Sequence, residues 1–397
     1  MDNEFKTAQA LEDQYVMHTY GRSPVLFEHG EGAKLYDTSG KEYIDFLAGI
    51  AVCPLGHVHP AVTAAIQEQA AKLLTTSNYF YAQNRAEVAQ KLACLAGESY
   101  GWKTFFGNSG AEANECAMKI ARRYGIEHKG PDCQTIITLK GSFHGRTMET
   151  LAATAQDWLQ DPFKPMPQGF VSVPRNDCAA LDAAIDETVC AIMLEPIQGE
   201  SGVWPMEDEY LAHIRQVADA NDILVIFDEV QTGLFRCGKP FCFQTVGEAC
   251  VPDIMTLAKG IANGVPCGAC MARGEAANML KPGMQGSTFG GMQLAMAASR
   301  ATLTNLESIK ADELAAEKGA YLREQLATVS YVKEVRGKGL MVGATIEGHD
   351  AHDIVNAMLD KGFVINACNA TVLRFLPPLI IEPAQIDAMI ACLKSLA

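Results

Sequence analysis

The sequence predicts an α/β protein: a mostly parallel sheet covered by helices on both faces, followed by a smaller α+β domain. Five short apolar runs, Thr104 to Phe106, Thr135 to Leu139, Ala191 to Leu194, Ile223 to Phe227 and Ile254 to Leu257, have the length and continuity of strands buried on both faces. Between them apolar residues recur at helical spacing, as at Ala113, Ala117, Ile120, Ala121 and Tyr124, and at Leu211, Ile214 and Ala218. A chain of 397 residues is also longer than one hydrophobic core usually supports.

Taken in order, Lys34 to Asp37 and Glu42 to Phe46 flank the turn Ser39-Gly40 and predict a hairpin. The alternating strands and helices follow. From about residue 300 the texture changes to longer amphipathic patterns, Leu303 to Val329, Gly339 to Ile346, Ile354 to Leu359 and Ile386 to Leu396, which predict the second domain. There is no internal repeat and no low-complexity linker.

Composition narrows the function. A hydrophobic fraction of 48% and a charged fraction of 20% are those of an ordinary globular protein. The net charge of −15 argues against a nucleic-acid or anionic-membrane partner, since neither Arg122-Arg123 nor any other cluster supplies a cationic footprint. A small-molecule partner is expected. Met1 to Tyr20 mixes acids and bases without an apolar core, so neither a signal peptide nor a membrane span is expected, and the expected setting is cytoplasmic. The 13 cysteines are scattered at positions such as Cys94, Cys116, Cys190 and Cys392, where a reduced thiol serves as a small hydrophobe. Cys267 and Cys270 form a CxxC without a second pair, so core packing rather than a metal site is expected there.

The chemistry centres on two residues. Asp228 closes the apolar run Ile223 to Phe227, and Lys259 follows the run Ile254 to Leu257 in Leu257-Ala258-Lys259-Gly260. Pyridoxal phosphate asks a protein for that pair: an amine to form a Schiff base with its aldehyde, and a carboxylate to keep its ring nitrogen protonated. A solvated lysine is the commoner fate of that residue type, but these flanks favour close packing. Asp228 and Glu229 are adjacent on a strand, so their side chains face opposite ways and one alone can meet the ring nitrogen.

The cofactor phosphate needs a cradle. The stretch Thr104 to Ala113 reads as strand, glycine-containing turn and helix, placing the N–H groups of Gly110 and Ala111 at a helix N-terminus that favours an anion. A simple capping box, with Ser109 as N-cap and Glu112 three residues on, explains the same residues. Phe143-His144-Gly145-Arg146 follows a strand, where open α/β sheets place ligands. Phe143 could stack on the ring and Arg146 could hold a substrate carboxylate. A core-plugging Phe and a surface Arg fit equally well.

Six segments together resemble the class III pyridoxal phosphate-dependent aminotransferases: Asn108 to Ala113, Phe143 to Arg146, Glu195-Pro196-Ile197-Gln198-Gly199-Glu200, Phe227 to Gly233, Leu257 to Gly260, and Gly286-Ser287-Thr288-Phe289-Gly290-Gly291. The resemblance runs from about Tyr20 to Pro378. It implies fold type I: a large domain with a mainly parallel seven-stranded sheet at residues 56–298, and a small domain at 299–397 joined by the N-terminal segment 1–55. It also implies a homodimer with the active site at the subunit interface.

By motif, Lys259 would be the Schiff-base lysine, Asp228 the partner of the ring nitrogen, Val230 the floor of the ring, Gln231 a donor to its hydroxyl and Phe143 the stacking aromatic. Gly110 and Ala111 would bind the phosphate, and Thr288 would reach the phosphate of the neighbouring subunit's cofactor. Ser109, His144 and Glu229 join the implied cofactor residues.

Within the family, Gly49-Ile50-Ala51-Val52, Gly56-His57, His59-Pro60, Thr76-Ser77-Asn78 and Leu373 to Pro378 are similar to the subgroup acting on N-acetylornithine. That resemblance implies Arg146 on the donor's α-carboxylate, with Ser287, Asn78 and Tyr20 also on the substrate side. Glutamate and 2-oxoglutarate would engage Arg374, which Glu200 would neutralise when the longer donor is bound. Lys259, once released, would shuttle the substrate proton. Ornithine, succinylornithine or 4-aminobutyrate as donor, an aminomutase or racemase on the same scaffold, and a non-catalytic cofactor-binding protein are the alternatives. Two stretches depart from the family pattern, Met292-Gln293 and Phe235-Arg236-Cys237-Gly238.

Overall fold

The computed structural model describes residues 3–396. After the helix Asn3–Tyr15, strands β1 (Phe27–Glu31), β2 (Lys34–Asp37) and β3 (Glu42–Asp45) form an antiparallel meander. The turn between β2 and β3 is stitched by Asp37, whose Oδ1 accepts from the N–H groups of Ser39 (2.9 Å) and Lys41 (3.0 Å). Gly40 there has φ 82°, which glycine adopts without steric penalty.

The central sheet takes β4 (Lys103–Gly107), β5 (Thr135–Leu139), β6 (Phe170–Val173) and β7 (Val189–Leu194). A short ribbon, β8 (Ile197–Gln198) with β9 (Trp204–Pro205), intervenes before β10 (Leu224–Asp228), β11 (Ile254–Leu257) and β12 (Gly268–Ala272). The order across the seven-stranded sheet is β4-β12-β11-β10-β7-β5-β6, with β12 antiparallel to both its neighbours. Side chains alternate between faces. Val225, Phe227, Ile192 and Leu194 join the larger core cluster, whereas Leu224, Ile226, Ala191 and Met193 pack against Ala113, Ala117 and Ile120 of the helix Gly110–Lys129.

A second sheet holds β13 (Val332–Lys338) and β14 (Met341–Ile346), while β15 (Phe363–Val364) leaves it to pair in parallel with β3. Strands β16 (Asn366–Asn369) and β17 (Val372–Phe375) complete it in the order β13-β14-β17-β16. Arg374 therefore sits on an interior strand, opposite Gly343.

Several local expectations differ from the structure. The apolar runs did not reveal β6 or β12. The first is short and half-exposed, and the second, Gly-Ala-Cys-Met-Ala, is built from residues with little strand preference. The long pattern from Leu303 to Val329 is two helices, Gln293–Ser308 and Ala311–Leu326, broken where Lys310 turns left-handed at φ 51°. Cys94 is exposed, because the buried stripe of its helix is Val88, Leu92 and Ala96, which leaves position 94 on the outer face. Cys267 and Cys270 are buried in separate core clusters, and Cys270 packs toward Cys116.

Both departures from the family pattern have structural partners. Gln293 begins its helix and donates to Thr76 Oγ1 (2.6 Å). Arg236 is buried and donates to the carbonyls of Leu340 (3.1 Å) and Pro377 (2.5 Å), tying the loop after β10 to the chain beyond β17.

The packing of β12 against the turn after β4 allows no side chain at Gly268, where a Cβ would lie 2.2 Å from the Ser109 carbonyl oxygen. Gly268→Ala is expected to cost about 1–3 kcal/mol through overpacking. Thermal melting should show it as a lower Tm, with weaker cofactor retention because the Ser109 turn is displaced.

Candidate active site

A cavity of about 470 Å³ opens at the C-terminal ends of β4, β5, β7, β10 and β11. Parallel strands deliver their loops to one edge, so Ser109, Phe143, Glu195, Asp228 and Lys259 converge although they are far apart in sequence. Because β12 runs the other way, its entry also falls there and brings Pro266 and Cys267 into the wall.

Lys259 leaves β11 with φ 45°, a left-handed turn that re-aims its side chain into the cavity. Burial lowers the pKa of its amine, against the opposing pull of the Glu200 carboxylate. A lysine biased toward its neutral form can act as nucleophile and as base.

Asp228 is 4% exposed and fully engaged. Its Oδ2 accepts from Asn114 Nδ2 (2.8 Å) and lies 2.8 Å from His144 Nδ1, while its Oδ1 accepts from the Val230 N–H (3.0 Å). Asn114 also donates to the His144 carbonyl (2.7 Å) and accepts from Thr256 Oγ1 (2.6 Å). These bonds fix the direction of the carboxylate. Nε2 of His144 is buried without a hydrogen-bond partner.

The anion cradle is both a capped helix and a cavity wall. Ser109 Oγ accepts from the Glu112 N–H (3.2 Å), and Glu112 reaches back to the Asn108 N–H. That leaves the first-turn N–H groups of Gly110 and Ala111 beside the cavity, without partners inside the helix. A Cβ on Gly110 would lie 2.9 Å from both methyls of Val230, so glycine lets the cradle approach the cavity floor.

The two expected arginines differ in character: Arg146 lines the cavity, whereas Arg374 is buried behind it against the lining residue Gln231. Arg146 is exposed, with its guanidinium 5.6 Å from the centroid of the Phe143 ring. Arg374 is 2% exposed and donates to Glu200 Oε1 (2.7 Å), Gln231 Oε1 (3.3 Å) and, through Nε (3.1 Å) and Nη2 (2.8 Å), Asn366 Oδ1. Burial opposes both charges of the pair. Their mutual attraction outweighs it, lowering the pKa of Glu200 and raising that of Arg374. Gln231 Nε2 also donates to Glu200 (3.1 Å), and a Cβ on Gly199 would lie 2.2 Å from Gln231 Oε1.

Asn114 and Glu195 had no role in the sequence analysis. Asn114 is detectable as a polar residue on the apolar stripe of its helix. Glu195 closes the buried run of β7 just as Asp228 closes that of β10. Glu195 accepts from the N–H groups of Phe143 (2.8 Å) and Gly199 (3.1 Å), and burial pushes its pKa up to about 7.

Other expected residues lie elsewhere in this chain. Glu229 is corrected: strand alternation turns it away from the cavity, where it accepts from Thr232 Oγ1 (3.1 Å) and the N–H groups of Cys242 (2.6 Å) and Phe243 (2.8 Å). Asn78 and Ser287 also stand outside the Lys259 cavity, in a neighbouring depression. Asn78 donates to the carbonyls of Ser287 (3.0 Å) and Gly290 (2.8 Å), and Ser287 Oγ accepts from Asn108 (3.0 Å) and Gly290 (3.0 Å). Thr288 is exposed, and Tyr20 lies in a groove beside Phe5 and Arg22.

The family model for class-III aminotransferases matches residues 15–396. The chain is a class-III aminotransferase. The aminotransferase is 46% identical over 387 residues to the acetylornithine aminotransferase of Methanocaldococcus jannaschii, with 96% of each chain covered. It is 47% identical over 380 residues to that of Caldanaerobacter subterraneus subsp. tengcongensis, with 95% of each covered. Among solved structures, it resembles the ornithine aminotransferase from Toxoplasma gondii at TM-score 0.92 and 33% identity, covering 98% of this chain and 94% of that one. The acetylornithine aminotransferase from Elizabethkingia anophelis aligns at TM-score 0.86 and 31% identity, covering 98% of each.

The cofactor of the aminotransferase is pyridoxal 5'-phosphate. The cavity fits that group: a lysine biased toward neutrality, a carboxylate held by Asn114 and His144, and an anion cradle that a single Cβ on Gly110 would obstruct. No group of His, Cys, Asp or Glu able to hold a metal ion occurs among the described residues, and no described helix is long and apolar enough to cross a membrane.

Glu195 yields a pH test. Its folded pKa of about 7 lies above the ordinary glutamate value of about 4.3, so the folded state holds the proton more tightly. Its contribution to stability therefore falls as pH rises between those values. Glu195→Gln should gain in Tm relative to the parent over that window, read by melting curves across the pH series.

Proposed function

We propose that this aminotransferase moves the δ-amino group of N2-acetyl-L-ornithine to 2-oxoglutarate, giving N-acetylglutamate 5-semialdehyde and L-glutamate in two alternating half-reactions of arginine biosynthesis. The observation that carries this reading is the ion pair of buried Arg374 with half-buried Glu200, whose charges both act on Lys259. A site that takes two amino donors of different length must hold a carboxylate near the cofactor for one and hide that cation for the other. A partner carboxylate that can swing aside achieves both. Its cost when unpaired is lowered by Gln231, which bonds to both members.

Pyridoxal phosphate, when bound, supplies an aldehyde for the amine and a ring that draws electrons from the substrate carbon. Lys259 would carry that aldehyde at rest and, when displaced, move the proton between substrate carbon and cofactor. Asp228 would hold the ring nitrogen's proton, with Asn114 and His144 fixing its direction. Gly110 and Ala111 would take the phosphate together with Ser109, over a floor made by Val230. Phe143 would cover the ring and Gln231 would face its hydroxyl. Arg146, exposed at the mouth, would take the α-carboxylate of the longer donor, and the uncharged Ile50 and Asn78 suit its acyl group.

We further infer a homodimer. Tyr79, Phe80, Tyr81 and Phe289 are heavily exposed and cluster in sequence with Asn78 and Thr288, which supports their burial by a second subunit whose cofactor phosphate Thr288 would reach. Tyr20 and Ser287 would complete the substrate side in that assembly. Pairing of β15 with β3 supports grouping residues 1–55 with 299–397 as a small domain against a large one at 56–298. Thirteen unpaired cysteines support a cytoplasmic setting.

Three experiments test the reading. Mixing the cofactor-loaded enzyme with single amines and following the cofactor's absorbance should show N-acetylornithine reacting fastest. Faster reaction of ornithine or 4-aminobutyrate would remove the donor assignment and leave the class. Lys259→Ala should abolish turnover. Arg374→Ala should raise KM for glutamate and 2-oxoglutarate by about 10–100-fold, as expected for loss of a charged hydrogen bond. N-acetylornithine should be affected much less, as read in the separate half-reactions.

A further inference from the structure

His57 has no role in the site described so far, yet it lies five residues beyond Val52, which lines the cavity. Ala48, Gly49, Ile50 and Ala51 are all left-handed, with φ of 49°, 67°, 66° and 62°. Three of the four carry a Cβ and Ile50 is β-branched, the side-chain type least suited to that region. Such strain persists only where the surroundings over-determine it, and it concentrates at functional sites.

The surroundings converge on one carboxylate. Asp45, 1% exposed, accepts through Oδ1 from the N–H groups of Leu47 (2.8 Å) and Ala48 (2.8 Å), while its Oδ2 lies 2.8 Å from His57 Nε2. Hydrogen bonding to Asp45 raises the His57 pKa to about 9, with a further contribution from Cys53 and against burial, so the imidazole is a cation at neutral pH. The backbone of His57 is in turn fixed to Gly32 by two hydrogen bonds of 2.7 and 3.1 Å.

The strained residues and the chain on either side of them touch both halves of the site. Val52 lines the cavity, and the Ala51 carbonyl oxygen lies 3.5 Å from where a Cβ on Gly260 would sit, beside Lys259. Asn263, in the same turn as Lys259, accepts from the Leu55 N–H (3.0 Å) and donates to the Gly56 carbonyl (2.9 Å). On the other side, the Phe46 carbonyl accepts from Leu376 N–H (2.7 Å) and that of Pro54 from Leu379 N–H (2.8 Å), just beyond Arg374.

We propose that Asp45 and His57 are positioning residues of the transamination site, their ion pair holding residues 48–51 left-handed as a fixed support for Val52 in the cavity wall, between the Lys259 turn and the chain that carries Arg374. The inference rests on the roles proposed for Lys259 and Arg374, and it is independent of which amine is the donor.

The test uses the cofactor-loaded full chain as D45N, H57Q and D45N/A48G/A51G, assayed in each half-reaction. D45N keeps an oxygen for the Leu47 and Ala48 N–H groups but loses the charge, whereas H57Q leaves the carboxylate in place. Both should lower kcat/KM about ten- to a hundredfold in the two half-reactions, with cofactor absorbance retained. The two glycines should restore most of the loss to D45N, because glycine adopts the left-handed region without steric penalty. Turnover of D45N and H57Q at the parent rate would overturn the proposal. So would a loss, whether of activity or of cofactor loading, that the glycines do not repair. Inactivity of the parent toward every amine would instead count against the function proposed above.

Discussion

Buried carboxylates at one edge of a parallel sheet set the terms for the rest of this protein. Asp228, Glu195 and Glu229 are buried at or just beyond the ends of β7 and β10, with the half-buried Glu200 close by, where an unpartnered charge would be several kcal/mol unfavourable. Each is satisfied differently. Asp228 has an asparagine, a histidine and a backbone N–H, Glu195 and Glu229 mainly backbone N–H groups, and Glu200 an arginine. The partners decide the chemistry available to each. Glu195 and Glu229, with no cation in bonding contact, are pushed up to about 7, whereas Glu200 beside Arg374 is held below the usual range.

Satisfying these charges also ties distant segments together. Glu195 links the Phe143 turn to the Gly199 turn, Glu229 anchors the chain at Cys242 and Phe243, and Arg374 joins Glu200 to the second sheet. Glycine completes the arrangement at two close approaches, Gly199 against Gln231 and Gly268 against Ser109, where any Cβ would part the elements. The strained stretch Ala48–Ala51 belongs to the same pattern, in which backbone geometry unfavourable by itself is held by a buried, fully bonded carboxylate.

The central strands were legible because residues buried on both faces leave continuous apolar runs, and Asp228 and Lys259 were legible because each ends one. Strands β6 and β12 were not, one because its face is half-exposed and the other because small residues carry no strand signature. Asn114 illustrates a further limit. Its sequence position announces a polar residue on a buried stripe, but its partners Asp228, His144 and Thr256 come from three other elements. Glu229 shows the reverse: motif membership suggested a cofactor residue, and the two-residue period of a strand put its side chain on the opposite face.

By itself the sequence determined the α/β class, five of the seven central strands, the placing of Asp228 and Lys259 at the ends of two of them, and the family, because burial periodicity and motif chemistry are local properties of the chain. The tertiary structure alone decided how the buried charges are partnered, that Arg374 meets Glu200 and Gln231 beside Lys259, and that residues 48–51 are forced left-handed. Those outcomes depend on which segments meet across the edge of the sheet. Desolvation makes each such meeting energetically decisive, and no local pattern encodes it.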